Sequence, residues 1–95
     1  MAAYLVATVR ISDAEKFAVY GKAIAGLSER FGGEYVVRGK LADVLEGHVD
    51  PDERVVVCRF PDAEAARAYL ESSEYRAAVG LREGAATVEM RLLVD

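Results

Sequence analysis

The sequence contains few cysteine, histidine and proline residues. Cys58 is the single cysteine, His48 is the single histidine, and two of the 95 residues are proline. One cysteine cannot form an internal disulfide, and one cysteine with one histidine does not supply a ligand set for zinc or haem. Two prolines exclude a proline-rich or collagen-like chain. We therefore expect a protein with no disulfide and no cofactor.

Excess basic charge and long hydrophobic runs are also absent. There are 12 Lys and Arg residues against 16 Asp and Glu residues, which gives a net charge of −4. Nucleic-acid binding requires a basic surface, and a membrane span requires about 20 consecutive apolar residues. The first residues also lack the basic segment that begins a signal peptide. We therefore expect a cytoplasmic protein that binds neither nucleic acid nor membrane.

The residues that are present are typical of one globular domain. Hydrophobic residues make up 53% of the chain and charged residues 29%, and these proportions exclude a disordered chain. A chain of this length builds one two-layer core. The expectation is a single domain over residues 1–95.

A capping box predicts the start of the first helix. Ser12 and Glu15 have the spacing at which each side chain bonds the other residue's backbone N–H. Apolar residues then recur at steps of three and four as far as Phe31, which predicts one amphipathic helix. Gly32-Gly33 is expected to end it, because glycine adopts the left-handed conformation at little cost.

The remaining pattern predicts four strands and two further helices. The first strand alternates, and its apolar face is expected to meet the helices. The order β-α-β-β-α-β is that of a ferredoxin-like α+β domain, an antiparallel sheet with both main helices on one face. The predicted elements are a strand at 4–11 with Leu5, Ala7, Val9 and Ile11 towards the helices, a strand at 34–38 with a bend or bulge at Gly39 and an extended continuation over 40–47, a turn at 48–53, a strand at 54–60 buried on both faces, a helix from 63 to about 71 capped by Asp62, a short helix at 74–83 recapped by Ser72-Ser73, and a strand at 87–94 with Val88, Met90, Leu92 and Val94 inward.

The helix-free face of the predicted sheet is unusually apolar. It is expected to carry Tyr4, Val6, Thr8, Val36 or Val37, and Leu93. Two copies that pack sheet against sheet about a two-fold axis would bury this patch on both, which favours a homodimer. The alternative is a monomer with an apolar surface, since more than half of an ordinary protein surface is apolar.

Several short motifs occur in a fixed order along the whole chain. They are Gly32-Gly33-Glu34-Tyr35-Val36-Val37-Arg38-Gly39, Leu45-Glu46-Gly47, Arg54-Val55-Val56-Val57 leading to Phe60-Pro61, Ala65, Ser72-Ser73-Glu74-Tyr75, and Arg82. With these motifs the chain resembles the bacterial domain-of-unknown-function family thirteen-thirty, part of the dimeric α+β-barrel superfamily. The resemblance implies a ferredoxin-like protomer, a homodimer with facing sheets and a cleft between sheet and helices. Relatives in that superfamily include cofactor-independent monooxygenases and isomerases.

Arg38 and Glu46 are the first candidate site residues. An arginine fork binds a carboxylate at two points, and a neighbouring carboxylate can act as a base or as its partner. If both face the cleft, Arg38 would hold an anionic group of a ligand and Glu46 would orient it. The alternative is a structural salt bridge between adjacent extended segments.

Tyr20, Tyr75 and Arg82 form a second candidate group. A tyrosine combines an apolar ring with a hydroxyl that needs a partner when buried, so two of them beside Arg38 would make a small-molecule pocket. Both tyrosines could instead be core residues. Arg82 lies seven residues after Tyr75, and it could reach the same region or interact with the C-terminus of the helix.

His48 and Cys58 are weaker candidates. A histidine is the natural acid–base group near neutral pH, but a lone histidine in a turn is usually solvated. Cys58 lies in an apolar run, where a thiol is usually a buried and inert hydrophobe.

Two functions remain consistent with these residues. One is a small-molecule-binding homodimer, potentially a cofactor-independent enzyme that acts on an acidic or phenolic metabolite. It requires a cleft of at least a few hundred Å³ that Arg38 can reach. The other is a non-catalytic assembly or protein-interaction module with a closed core, Arg38 paired with Glu46, and an uncovered apolar patch elsewhere.

Overall fold

Four β-strands and three α-helices make up the fold. A computed structural model describes all residues, 1–95. In chain order the elements are β1 (Ala3–Ile11), α1 (Ala14–Ala23), β2 (Glu34–Lys40), β3 (Arg54–Phe60), α2 (Ala63–Glu71), α3 (Ser73–Val79) and β4 (Ala86–Val94). The strands form one antiparallel sheet in the order β2-β3-β1-β4. The predicted β-α-β-β-α-β order and ferredoxin-like α+β architecture are confirmed.

The central strand β1 follows the predicted alternation. Ala3, Leu5, Ala7 and Val9 are buried towards the helices, while Tyr4 on the opposite face is half-buried. Because successive side chains of a strand point to opposite faces, an alternating pattern is sufficient to orient the strand in the sheet.

The core lies between the sheet and the helices. The molecule measures 32 × 31 × 15 Å, and its thickness accommodates one sheet and one helical layer, since packed layers lie about 10 Å apart. The other face of the sheet is therefore uncovered, and we call it the open face. The principal buried cluster consists of Leu5, Leu27, Cys58, Phe60, Ala66, Tyr69 and Tyr75.

The first helix is shorter than the sequence predicts. The α-helical part ends at Ala23, and Gly26 has a φ of +76°. A residue in the left-handed region cannot continue a right-handed helix, so the chain forms a separate 3₁₀ turn over Ser28–Phe31. Gly32, at a φ of +82°, then ends that turn.

The predicted capping box of the first helix is wrong. The N-cap is Asp13, whose carboxylate accepts a hydrogen bond from the Lys16 N–H at 3.1 Å. The Ser12 hydroxyl instead donates to the Gly84 carbonyl, 3.3 Å away. Ser12 lies in the bend that follows β1, and its N–H bonds the Ala85 carbonyl beside β4, so it is not free to bond the Glu15 side chain. The helix therefore begins one residue later.

The second strand also differs from its prediction. β2 continues without interruption through Gly39, and its bulge lies between Tyr35 and Val37. Residues 41–53 contain no strand, so the predicted extended continuation over 40–47 is wrong beyond Lys40.

The second half of the chain follows the prediction more closely. β3 has the predicted bounds, and the Asp62 carboxylate caps α2 by accepting from the Ala65 N–H at 2.8 Å. Ser72 caps α3 through a bond from the Tyr75 N–H at 3.2 Å. The third helix stops at Val79, and Gly80–Arg82 form a 3₁₀ turn, so the predicted helix to Glu83 is too long.

The predicted burial of β3 on both faces is wrong, because one face of the sheet is open. Val55 and Val57 of β3 are only half-buried, although the apolar run predicts burial on both faces. The predicted inward face of β4 is confirmed, because its residues pair with the buried residues of β1: Val88 with Val9, Met90 with Ala7, Leu92 with Leu5 and Val94 with Ala3. Met90 and Val94 are nevertheless exposed, since β4 is an edge strand and Met90 lines a cavity. No helix is both long enough and apolar enough to cross a membrane.

Candidate functional site

A cavity of about 450 Å³ opens between α1 and the sheet. Of the 18 residues that line it, 14 are hydrophobic. Strands β1, β3 and β4 supply its floor, including Ala7, Val56 and Met90, and α1 supplies Tyr20 and Gly21 on the opposite side. A mostly apolar recess of this size with a few polar groups is the usual form of a small-molecule site.

The cavity exists because small side chains face one another across the two layers. Ala7 stands between Val56 and Met90 in the sheet register. On the helical side, a Cβ added to Gly21 would meet no atom within 4 Å. Neither layer supplies the volume that would close the space.

The bulge in β2 directs Arg38 into this cavity. Tyr35 pairs with Cys58 and Arg38 pairs with Val56, and these two β3 residues are two positions apart, so they share a face. The extra residue in the bulge therefore brings Arg38 to the same face as Tyr35, although the two are three positions apart. The Arg38 guanidinium carbon lies 4.5 Å from the centroid of the Tyr35 ring.

Arg38 has no carboxylate partner. The ion pairs of the structure join Arg10 to Glu53 and Glu89, and Arg30 to Glu74. Arg38 is exposed at the cavity wall, so its guanidinium is available to an anionic group of a ligand.

The structure does not bring Glu46 to Arg38. Glu46 is exposed in the 41–53 loop and does not line the cavity. Neither the predicted joint site nor the alternative salt bridge between extended segments is formed, because the segment that carries Glu46 is not a strand. The acid that lines the cavity with Arg38 is Glu29, which the sequence reasoning did not identify. Its position depends on the break at Gly26, since a helix continued to Phe31 would orient it differently.

Tyr20, Tyr75 and Arg82 are brought together. The Arg82 Nη1 donates to the Tyr20 hydroxyl at 2.9 Å and to the Tyr75 hydroxyl at 3.1 Å. Both tyrosines are buried and line the cavity, whereas Arg82 contacts them from behind and is not part of the lining. Arg82 makes no hydrogen bond to a helical carbonyl, so the alternative of a helix-terminal role is not what the structure shows.

The electrostatics of this group keep Tyr20 neutral and Arg82 charged. Burial raises the pKa of Tyr20 well above its usual range, although Arg82 acts in the opposite direction. Burial is the largest single influence on Arg82 and opposes its charge, but the hydrogen bonds and charge interactions with Tyr75 and Tyr20 together outweigh it, so the pKa of Arg82 is raised. At neutral pH the Tyr20 hydroxyl therefore retains its proton.

Two further tyrosines of the lining were not among the predicted site residues. The Tyr69 ring lies 4.9 Å from that of Tyr75, centroid to centroid, and 5.6 Å from that of Phe60. Burial raises the pKa of both Tyr69 and Tyr35. The cavity is therefore lined by four tyrosines, including those on α1 and α3.

His48 and Cys58 occupy the positions expected of non-catalytic residues. His48 is exposed in the 41–53 loop and away from the cavity lining. Cys58 is buried at the cavity floor, and burial raises the pKa of its thiol. No three His, Cys, Asp or Glu side chains are grouped so that they could hold a metal ion.

A family model and several solved structures resemble this chain. The model described as Domain of unknown function (DUF1330) matches residues 2–95. A protein of unknown function from Rhodopseudomonas palustris, RPA0582, has 26% identity over 97% of this chain and 80% of that one, with a TM-score of 0.80. No protein of curated function matches the sequence.

Two other solved structures share the fold at lower identity. A dimeric ferredoxin-like protein of unknown function from Jannaschia sp. CCS1 has 18% identity over the whole of both chains and a TM-score of 0.74. SnoaB from Streptomyces nogalater, described as a cofactor-independent oxygenase, has 18% identity over 99% of this chain and 92% of that one, with a TM-score of 0.68. At this identity the likeness establishes the fold and not the activity.

Proposed function

The chain belongs to the family described as Domain of unknown function (DUF1330), and from its cavity we propose that it is a homodimer that binds a small, mostly apolar organic molecule with an acidic or phenolic group. The observation that carries this proposal is an unpaired arginine, Arg38, on the wall of an apolar cavity of about 450 Å³. An ionised group with no partner in the protein favours a ligand of opposite charge. The other candidate, a non-catalytic module, predicts a closed core, a pairing of Arg38 with Glu46 and an uncovered apolar patch. The open face supplies the apolar patch, but the closed core and the pairing are absent.

The open face supports the homodimer. Val6, Val57 and Val37 lie side by side on three neighbouring strands, and Val37 is 47% exposed. Leu93 on β4 adds a further apolar residue to this face and is 49% exposed. Sheet-to-sheet packing about a two-fold axis would bury these residues on both copies. The Jannaschia protein of the same fold is described as dimeric.

The enzymatic form of the proposal is a reaction that needs no cofactor. SnoaB, which shares the fold, is described as a cofactor-independent oxygenase. In this chain Arg38 would hold the acidic group of the ligand, and the tyrosines of the lining would surround its apolar part.

Ligand binding is tested with a panel of aromatic and aliphatic organic acids. A ligand stabilises the folded state by about 2.7 kcal/mol at 100 times its Kd, so binding raises the melting temperature, and calorimetry then gives the Kd. We expect Arg38→Ala to weaken binding of the best acid by about 10- to 100-fold, since a hydrogen bond to a charged group contributes about 1.5–3 kcal/mol. The matched control is Arg67→Ala, an exposed arginine on α2 outside the lining.

A second pair of variants tests whether the cavity is the binding site. Gly21→Leu should extend a side chain from α1 into the cavity, opposite its floor, and abolish binding. Ala18→Leu adds the same side chain to an exposed position of α1 and should leave the Kd unchanged. If no acid in the panel stabilises the wild type, or if Gly21→Leu binds as well as Ala18→Leu, the proposal is wrong.

A further inference from the structure

The hydrogen bonds around Arg82 leave at least one tyrosine hydroxyl without an acceptor inside the cavity. We infer that Tyr20 and Tyr75, held in place by Arg82, donate a hydrogen bond to a second oxygen of the ligand, at a position separate from Arg38. The ligand is then an aromatic acid that carries a phenolic or keto oxygen on its ring system. This inference rests on the proposed function, because it concerns the same cavity.

The donor count follows from the chemistry of the three side chains. Arg82 can only donate, so in both of its bonds the tyrosine oxygens are acceptors and each tyrosine proton remains to be placed. Neither Tyr20 nor Tyr75 donates to any acceptor of the chain by the hydrogen-bond geometry of the structure. If one tyrosine hydroxyl donates its proton to the oxygen of the other tyrosine, the proton of that second hydroxyl still has no acceptor in the chain. Both residues line the cavity, so a ligand oxygen can supply the acceptor that is missing.

The charge of Arg82 makes these hydroxyls good partners for an electron-rich oxygen. Arg82 is half-buried and has no carboxylate within ion-pair distance. A hydroxyl whose oxygen accepts from a guanidinium is polarised and becomes a stronger donor in a region of low dielectric. The direction of the Tyr20 pKa agrees with this role, because burial keeps the hydroxyl protonated.

The two arginines address different parts of the ligand. Arg38 stacks on Tyr35 of β2, while Arg82 bonds tyrosines of α1 and α3. Apolar side chains make up most of the lining between these groups. A cavity of about 450 Å³ is about three times the ~150 Å³ cavity that holds benzene, so it has room for two aromatic rings. A two-ring acid with an oxygen on its far ring matches both polar positions.

The test compares naphthoate with the hydroxynaphthoate that carries its hydroxyl on the far ring. The two probes differ only in one hydroxyl. The ratio of their Kd values, measured by calorimetry, therefore gives the contribution of the second oxygen to binding. The wild type should bind the hydroxylated probe about 3- to 10-fold more tightly, the range for one net hydrogen bond. The double variant Tyr20→Phe and Tyr75→Phe should reduce this ratio to about 1, while Arg38→Ala should weaken both probes and leave the ratio unchanged. Tyr4→Phe, on the open face, is the matched control and should keep the wild-type ratio.

The outcomes separate this inference from the proposed function. If the wild type binds both probes equally, or if the double variant keeps the preference, the inference is overturned while acid binding in the cavity stands. If neither naphthoate binds the wild type while another acid of the panel does, the inference is overturned and the proposed function stands. If no acid of the panel binds, the proposed function is overturned and the inference with it. The single variants Tyr20→Phe and Tyr75→Phe replace the double variant if it does not fold, and the inference then requires that at least one of them lowers the ratio.

Discussion

Two glycines have opposite roles at the scale of single residues. A Cβ at Gly33 would lie 2.8 Å from Cε1 of Phe60 and 2.9 Å from the Ser28 carbonyl oxygen, so this position is glycine because the core closes on it. Gly21 has no neighbour within 4 Å of the same atom, and the missing side chain there contributes to the cavity. The same residue type therefore permits close packing at one place and leaves space at another.

Substitution of each glycine by alanine should change stability in opposite directions. Gly33→Ala should lower the free energy of unfolding by about 1–3 kcal/mol, because overpacking forces the core apart. Gly21→Ala should raise it by about 0.5–1 kcal/mol, because alanine is the better helix former and nothing obstructs its methyl group. Urea denaturation measures both, and equal effects of the two substitutions would contradict the packing described here.

At the scale of elements, α1 shows how a tertiary contact shifts the start of a helix. Ser12 and Asp13 are both good N-cap residues, and the sequence alone does not decide between them. The backbone N–H groups of Ser12 and Asp13 both bond the Ala85 carbonyl, at 2.8 and 3.0 Å, so the Ser12 N–H is not available to the Glu15 side chain, as a capping box would require. Asp13 caps the helix, which begins at Ala14.

The cap assignment is tested by alanine substitution at the two neighbouring positions. Asp13→Ala should lower the free energy of unfolding by about 0.5–2 kcal/mol, because it removes the acceptor for the Lys16 N–H. Ser12→Ala removes only an exposed bond to the Gly84 carbonyl and should cost less. A larger loss for Ser12→Ala in urea denaturation would restore the capping box and refute the observed start.

For the whole molecule, buried tyrosines should make stability sensitive to high pH. Burial raises the pKa of Tyr20, Tyr35 and Tyr69 in the folded protein, while the unfolded chain ionises its tyrosines near pH 10. Their contribution is therefore complete below about pH 10 and is lost as the pH rises towards the folded values. The free energy of unfolding should fall steeply above pH 10.

The alkaline decline should be smaller in Tyr69→Phe. This substitution removes one raised pKa and leaves the ring contacts in place, and the Tyr69 hydroxyl makes no hydrogen bond in the protein. Urea denaturation at several pH values between neutral and alkaline measures the slope for both proteins. Identical slopes would show that the ionisation of Tyr69 is not coupled to unfolding.

The assembly is the second property of the whole molecule. Val37→Lys places a charge on the open face of each copy, and a two-fold interface would bring the two charges near each other. Light scattering with size exclusion should give a mass near twice 10.3 kDa for the wild type and near 10.3 kDa for the variant. Val19→Lys, at a similarly exposed valine on α1, is the matched control and should remain a dimer. A wild type that elutes as a single chain would refute the homodimer.

Local patterns were sufficient for most elements of this fold. Alternation oriented β1, the apolar run located β3, and Asp62 marked the start of α2, because these features depend on residues close together in the chain. The cavity and its polar groups depended instead on distant residues. Arg38 faces the cavity because a bulge shifts the register of β2. Glu29, and not Glu46, lines the cavity because the chain breaks the helix at Gly26. Arg82 bonds two tyrosines that lie on separate helices. The size and shape of the cavity depend on the side chains of both the sheet and the helical layer, so no single stretch of the sequence determines them.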